Sequence, residues 1–427
     1  MKEWKTYKLG DLINIQSGGT PNKAVTAYWG GNIPWISAKT MYVDFITDSD
    51  IYITEEGLKK GSKLAPVGSI LLLTRGSGLF NRIPVCLVKE SVAYNQDIKC
   101  ITVKDGSITS NTFLFFWLYS QKDLLSGILE TTGIGAGKID TGRLLDINVK
   151  LPDIETQNKF IQFCSSILDK IEINKRINDN LEQQAQALYK SWFVDFEPFK
   201  EGNFVESELG LIPEGWNVGT YEQIIQSTIS GDWGKDAATG NYTHKVACVR
   251  GCDFQDMKAG VRGKTPERYI LEKNYQAKKL EHNDILVEIS GGTSTISTGR
   301  VCIANSDLLD KYNHDIVCTN FCKVIRPVNS YAGYLYYSWI FKYDSKVMFG
   351  YENGTSGIKN FQLSDFISKE PVIVPPISCV NEFQKLIDNL LKSIQINGSE
   401  IMELELLRDT LLPRLMSGEL KINEIDC

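Results

Sequence analysis

The stretch "INKRINDNLEQQAQALYKSWF" (residues 173–193) decides the fold. Its apolar positions continue a series that begins at Phe160 and advances by four and three: Phe160, Cys164, Ile167, Ile171, Asn174, Asn178, Leu181, Ala185, Leu188 and Trp192. Adding 223 to each number gives Phe383, Ile387, Leu390, Ile394, Asn397, Ile401, Leu404, Arg408, Leu411 and Leu415. Alternating steps of four and three are the seam of a coiled coil, because they keep one stripe of a helix facing its partner. An asparagine occupies the same seam position in both series, Asn174 and Asn397. A buried polar seam residue costs stability and fixes register. Two ordinary core helices also fit the pattern, so the flanks have to decide.

The flanks repeat as well. "LPDI" (151–154) and "VPPI" (374–377) place proline just ahead of each helix, where it ends a strand and tolerates a helix start. Trp4 and Trp216 open the two halves, followed by "SGGT" (17–20) and "SGDW" (230–233). An apolar run into a glycine loop comes next, "GSILLLTRGSG" (68–78) and "NDILVEISGGT" (283–293). Glycine-rich turns follow, "TTGIGAGKID" (131–140) and "ENGTSGIKNF" (352–361). Short β-branched runs such as "NIPWIS", "SILLL", "IKCITV" and "DIVCTNFCKVI" favour mixed, largely antiparallel β structure. Helices are predicted over 111–121 and 331–343, whose aromatics either pack on a sheet or stack on bases. The stretch 196–216 is rich in Glu, Gly and Pro and reads as a linker.

The expected fold class is α+β: two similar mixed α/β domains separated by a long antiparallel two-helix coiled coil, a pseudo-twofold internal repeat. The expected boundaries are 1–152 for the first domain and 153–200 for the central helix. Residues 201–375 hold the linker and second domain, and 376–427 the distal helix.

At 427 residues, two or more cores are expected. No apolar run reaches the length of a membrane span, and the start "MKEWKTYKLGD" has no apolar signal segment, so a cytoplasmic protein with ten reduced cysteines is expected. The net charge of −6 hides local excesses: residues 245–279 hold nine basic and four acidic side chains, a surplus of five. Such a patch suits phosphate, or a solvated face equally well.

Catalytic patterns are missing. "GKT" (263–265) ends like a phosphate-binding loop, but Lys258 stands where its first glycine belongs and Pro266 interrupts the following helix. "CVRGC" and "CTNFC" bring Cys248, Cys252, Cys318 and Cys322, whose three-residue gaps suit buried strand thiols better than a zinc knuckle, with metal left open. Three histidines and no nucleophile grouping argue for a protein without chemistry of its own.

The order of segments resembles the DNA-specificity subunit of type I restriction-modification systems over essentially the whole chain. The resembling stretches are "WKTYKLGDLINIQSGGTP", "YWGGNIPWISAKTM", "KLAPVGSILLLTRGSG", "NQDIKCI", "QALYKSWFVDFEPF", "LGLIPEGW" and "LRDTLLPRLMSGEL". Thr40 follows Lys39 where many relatives carry an acid. The resemblance implies a non-catalytic subunit whose two target-recognition domains each read half of an asymmetric, interrupted DNA site. It implies two methyltransferase subunits that methylate adenine N6, and ATP-driven restriction and translocase subunits. No cofactor is expected in this subunit, whereas S-adenosylmethionine, ATP and Mg are expected in the partners. A stand-alone DNA-binding regulator or adaptor is the alternative.

From Phe160 to Trp192 the seam covers roughly 50 Å of helix, at most about 14 base pairs of duplex, so the helix pair is expected to act as a ruler for the unread gap. Base reading is expected from loop residues: Lys39, Arg75, Asn95, Gln96 and Lys138 in the first domain, and Arg250, Lys264, Ser290, Thr293 and Lys359 in the second. Tyr189, Trp192, Phe193 and Phe196, with Leu411, Leu412, Arg414 and Leu415, exceed what one seam buries and are expected to dock partner subunits.

Overall fold

The computed structural model describes residues 4–133, 135–293, 295–354 and 358–422; part of the turn 352–361 therefore lies outside the described residues. The chain divides into two compact units, residues 1–170 with 404–427, and residues 171–403. Two helices of 40 and 41 residues, Ile154–Phe193 and Ile377–Ser417, each contribute to both.

In the first unit a five-stranded sheet has the order Ile13–Ser17, Ile98–Val103, Ile70–Leu73, Val85–Val88, Phe45–Ile46. The strand Trp29–Ile36 pairs in parallel with Val92–Tyr94 and antiparallel with Tyr52–Ile53. A small third sheet joins Arg75–Gly76, Gly137–Ile139 and Leu129–Thr131. Lys5–Lys8 pairs with Asn148–Leu151 and so ties the entry of the domain to the strand that leads into its long helix. The helix Asn111–Ser120 buries seven consecutive residues, Phe113 through Tyr119, against the strands Ile70–Leu73 and Val85–Val88. Its aromatics are therefore core, not a base-stacking platform. Ile70–Leu73 is buried throughout, which explains an unbroken apolar run where a half-exposed strand would alternate.

The second unit repeats the centre of this plan, with four strands in its main sheet against five and three in its second sheet against four. Ile225–Ser230, Cys322–Pro327, Asp284–Glu288 and Val301–Ala304 follow one another in its main sheet. Tyr242–Val249 pairs in parallel with Ile316–Cys318 and antiparallel with Glu267–Leu271. Ser290–Gly291, Lys359–Phe361 and Glu352–Asn353 form the small sheet, and Asn217–Thr220 pairs with Pro371–Val374. The helix Ala332–Asp344 covers the core as Asn111–Ser120 does in the first unit. Pairing is largely antiparallel, as the turn spacing predicts, with parallel pairs in each second sheet and between Phe45–Ile46 and Val85–Val88.

The stretch 196–216 departs from its reading as a linker. It forms a hairpin, Phe204–Ser207 against Gly210–Pro213, and its aromatics pack inward. Trp216 lies against Phe193, Phe196 and Phe199 at ring distances of 5.9, 5.7 and 4.9 Å. Four buried or half-buried aromatic rings outweigh the Glu, Gly and Pro content that suggested an open connection.

No position of either seam is exposed. In the second unit the helices run antiparallel: Asn174 Nδ2 donates to Glu400 Oε2 (2.8 Å), and Asn397 Nδ2 donates to Asn178 Oδ1 (2.8 Å). Asn174 and Asn397 are thus equivalent positions that do not meet. In an antiparallel pair, equivalents face each other only at the twofold point, so each asparagine finds the partner one turn away. Among the described residues no helix is long and apolar enough to cross a membrane.

Candidate nucleic-acid interface

The loop after each central strand is built the same way. Ile70–Leu73 continues through Thr74, whose N–H donates to Asp97 O (2.8 Å), into Arg75–Gly76. Asp284–Glu288 continues through Ile289, whose N–H donates to Phe321 O (2.9 Å), into Ser290–Gly291. In the first unit this brings Arg75 opposite Lys138 on neighbouring strands, with Glu130 beyond. Gln96 lies beside Asp97, accepting a hydrogen bond from Thr20 Oγ1 (2.6 Å) and reaching solvent. Arg75, Gln96 and Lys138 are therefore brought together, and Arg75 is exposed. Lys39 stands apart, exposed on the short turn Ala38–Thr40. That turn is closed by Thr40, whose Oγ1 accepts from the Ser37 N–H (3.1 Å). The second unit puts Asp253 in the corresponding place, accepting from the Arg250 N–H (2.9 Å). Thr40 thus does with a hydroxyl what an acid does in the other half.

Asn95 does not face a partner. It is 7% exposed, and its Oδ1 accepts from the Asp97 N–H (3.1 Å) inside its own turn. Arg250 and Lys359, both expected among the base-reading loop residues, are likewise occupied within the protein. Arg250 forks onto the buried Asp253 at 3.1 and 2.8 Å and donates to Lys264 O (3.0 Å). The hydrogen bonds it donates to this carboxylate hold the guanidinium above the usual range. Lys359 pairs with Glu352 at 2.7 Å, a carboxylate that also accepts from the Thr298 N–H and Oγ1. Glu352 is held below the ordinary carboxylate range by these hydrogen bonds, although its burial works against them. Thr293 closes a turn by accepting from the Ile296 N–H (3.0 Å), and its side chain is otherwise exposed. Lys264 is exposed, and Ser290 is half-buried opposite Asn360.

Two strand lysines, one in each unit, lie beside these loops. Lys99 lies opposite Ser17 and Leu72, hydrogen-bonds Ser17, and is close enough to Arg75 that burial and this like charge lower its proton affinity. Lys323 lies opposite Ser230 and Val287. Their signal was present in the repeated "SG" pairs and in "IKC" and "CKV", but lysines inside strand-like runs were read as strand residues. Phe321, 64% exposed, occupies the place of Asp97.

The aromatic stripe is largely covered within the protein. Tyr189 and Phe193 belong to the core of the second unit, at 5% and 2% exposure, with Phe193 stacked edge-on to Tyr334 and Phe383 at 4.8 and 4.9 Å. Trp192 and Phe196 pack against the same core. Leu412 and Leu415 are buried in the first unit, where Leu411 joins them beside Phe116, Cys164 and Ile167. Arg414 alone is exposed, paired with Glu419 at 3.0 Å. The large apolar residues that do reach solvent on the helices of the second unit are Ile173, Ile177, Ile377, Leu386 and Ile396, of which Ile173, Ile177 and Ile396 are 50%, 42% and 59% exposed.

Among the described residues no three His, Cys, Asp or Glu side chains converge on a metal position. Cys248 lies in one apolar cluster and Cys318 and Cys322 in another. Burial pushes the Cys248 and Cys322 thiols up to about 12, away from the thiolate a metal requires.

Residues 1–183 match the family described as the type I restriction modification DNA specificity domain. The specificity subunit of the type I restriction enzyme MjaIX of Methanocaldococcus jannaschii is 28% identical over 99% of this chain and 95% of its own. That of the Haemophilus influenzae type I restriction enzyme HindI is 23% identical over 98% of this chain and 100% of its own. In fold, the crystal structure of the type I restriction-modification S subunit from M. genitalium superposes with a TM-score of 0.54, 14% identical, covering 96% of each chain. With the doubled sheet plan and the paired seams, the chain is thus similar over nearly its whole length to specificity subunits of type I restriction-modification systems.

Proposed function

We propose that this chain recognises a bipartite, asymmetric DNA sequence and positions two adenine-N6 methyltransferase subunits on it, with restriction subunits joining the same assembly. The single observation that carries this reading is the doubled sheet plan: one chain holds two copies of a loop-bearing domain whose corresponding loops differ in side chains. Two similar readers with different loops suit a site whose halves differ. The loops of the first unit offer Arg75, Gln96, Lys138 and Lys39; those of the second offer Lys264, Ser290 and Thr293. Arg and Lys suit guanine, and Gln suits adenine.

The role of the chain is to bind and to place. Methyl transfer with S-adenosylmethionine, and ATP- and Mg-dependent translocation, belong to the partner subunits. An adenine inside a duplex has to leave the stack to be methylated, so the methyltransferase needs a firmly held site. The partners dock on the helices at Ile173, Ile177 and Ile396, which carry exposed apolar surface. The helix pair sets the unread gap between the halves. Genome-wide mapping of methyladenine in a host with and without this gene tests the reading. One interrupted motif that disappears with the gene is expected; an unchanged methylation map would overturn it, as would DNA binding with no methylation dependent on the gene.

A further inference from the structure

Comparing the two halves of one chain separates what every half-site shares from what distinguishes them. Sheet register makes Lys99 and Lys323 equivalent: each lies opposite a serine on one side, Ser17 or Ser230, and an apolar residue of the central strand on the other. Both serines precede a glycine that the fold requires. A Cβ at Gly18 would collide with the Tyr94 and Asn95 carbonyls, and one at Gly231 with the Thr319 and Cys318 carbonyls. Among the described residues no carboxylate pairs with either lysine, and both side chains reach solvent. Lys99 sits beside the like charge of Arg75, an arrangement that costs energy unless an anion joins it.

The neighbours behave in the opposite way. Arg75 opposite Lys138 in the first unit becomes Ser290 opposite Asn360 in the second, at the same two places of the small sheet. Phosphates are the same in every sequence, whereas base edges are not. A residue kept in both halves is therefore suited to the DNA backbone, and a pair that changes is suited to the bases. We infer that Lys99 and Lys323 are phosphate anchors common to both half-sites, and that the Arg75–Lys138 and Ser290–Asn360 pairs are specificity-determining readers. The first pair selects guanine through its O6 and N7. The second selects adenine, with Asn360 forking onto N6 and N7.

This inference rests on the proposed function, and its test has two arms. In the first, the purified full-length chain binds a random-sequence duplex over a range of salt. Lys99→Ala is expected to weaken binding to all duplexes and to reduce the slope of log affinity against log salt by about 0.9, the contribution of one phosphate contact. Lys99→Arg, which keeps the charge, is expected to restore the slope. In the second, methyladenine is mapped in cells carrying the chain with its modification subunits. Lys99→Ala is expected to lower methylation without altering the motif. Arg75→Ser with Lys138→Asn is expected to alter one half of the motif, losing guanine there, while the other half stays. A changed motif with Lys99→Ala overturns the assignment, as does an unchanged motif with the double variant or an unchanged salt slope. A wild-type chain that binds no duplex and supports no methylation would overturn the proposed function itself, and the inference with it.

Discussion

Lys311 shows how much a single side chain decides in the second unit. Its Nζ donates to Gly260 O (2.5 Å) and Gln395 O (2.7 Å), fastening the loop after Phe254–Lys258 to the second long helix. Gly260 and Gly398 make this approach possible, since a Cβ at Gly398 would collide with the Gly260 backbone. Burial pulls the Lys311 ammonium down to about 8, with Asp307 opposing. Between that value and the unfolded value near 10.5 the unfolded chain holds more protons at this site, so its contribution to stability rises with pH. The buried cysteines, raised by burial, act in the opposite sense, which makes the difference between proteins the informative quantity. Lys311→Met is expected to destabilise by about 1–3 kcal/mol by leaving two carbonyls unpaired. The stability gap to the wild type is expected to widen from pH 8 to 9.5 by at most ~1.4 kcal/mol per pH unit, as measured by urea unfolding.

At this scale the sequence was legible in residue type but not in use. Arg250 has the chemistry of a guanine reader, yet Asp253 three residues on was a visible partner, and Lys359 has Glu352 seven residues back. Lys99 and Lys323 went unread because their strand context hid them, and only sheet register makes their equivalence plain.

The long helices were the most legible elements, because a seam repeated over ten positions leaves little freedom. What the letters did not settle was which polar seam residues meet. Asn178 carries the larger share: its Nδ2 donates to Ala259 O (3.0 Å) and Ile394 O (3.2 Å), and its Oδ1 accepts from Asn397. Asn178→Leu is expected to destabilise by on the order of 2 kcal/mol, since it strands buried polar groups. Asn178→Leu with Asn397→Leu is expected to lose less than the sum of the single changes, because the second change removes one of the groups left unpaired. A strictly additive pair in denaturant titrations would contradict the pairing.

The covering of the aromatic stripe belongs to the scale of elements. The stripe's surplus over a two-helix seam was real, but a hairpin and the helix Ala332–Asp344 cover Tyr189 to Phe196 in the second unit, and Leu411, Leu412 and Leu415 lie beside Phe116 in the first. Trp192→Ala with Leu415→Ala is therefore expected to lower the melting temperature. Ile173→Ser with Ile396→Ser is expected to leave melting within a degree or two and to reduce co-purification of the modification subunit. Unreduced co-purification would remove these isoleucines from the docking face.

For the whole molecule, the order of domain, helix, domain, helix was readable because each segment recurs with its own edges: the opening tryptophan, the SG pair, the proline before the helix. The likeness of the two sheet plans was not, since the second domain shares few letters with the first. It emerges only when register matches Ser17 and Lys99 with Ser230 and Lys323. Folds tolerate extensive substitution when apolar patterning is kept, so two halves can diverge in the loops that read while retaining the strands that hold them.

The central claim is that each half of the site is read by one domain alone. Replacing residues 217–374 by residues 5–151 of the same chain gives a protein with two copies of the first reader, joined to the unaltered helices. Methyladenine mapping in cells carrying this protein and its modification subunits is expected to show a motif whose two halves are both the wild-type first half-site. A motif that keeps the original second half, or that changes in both halves, would contradict the account.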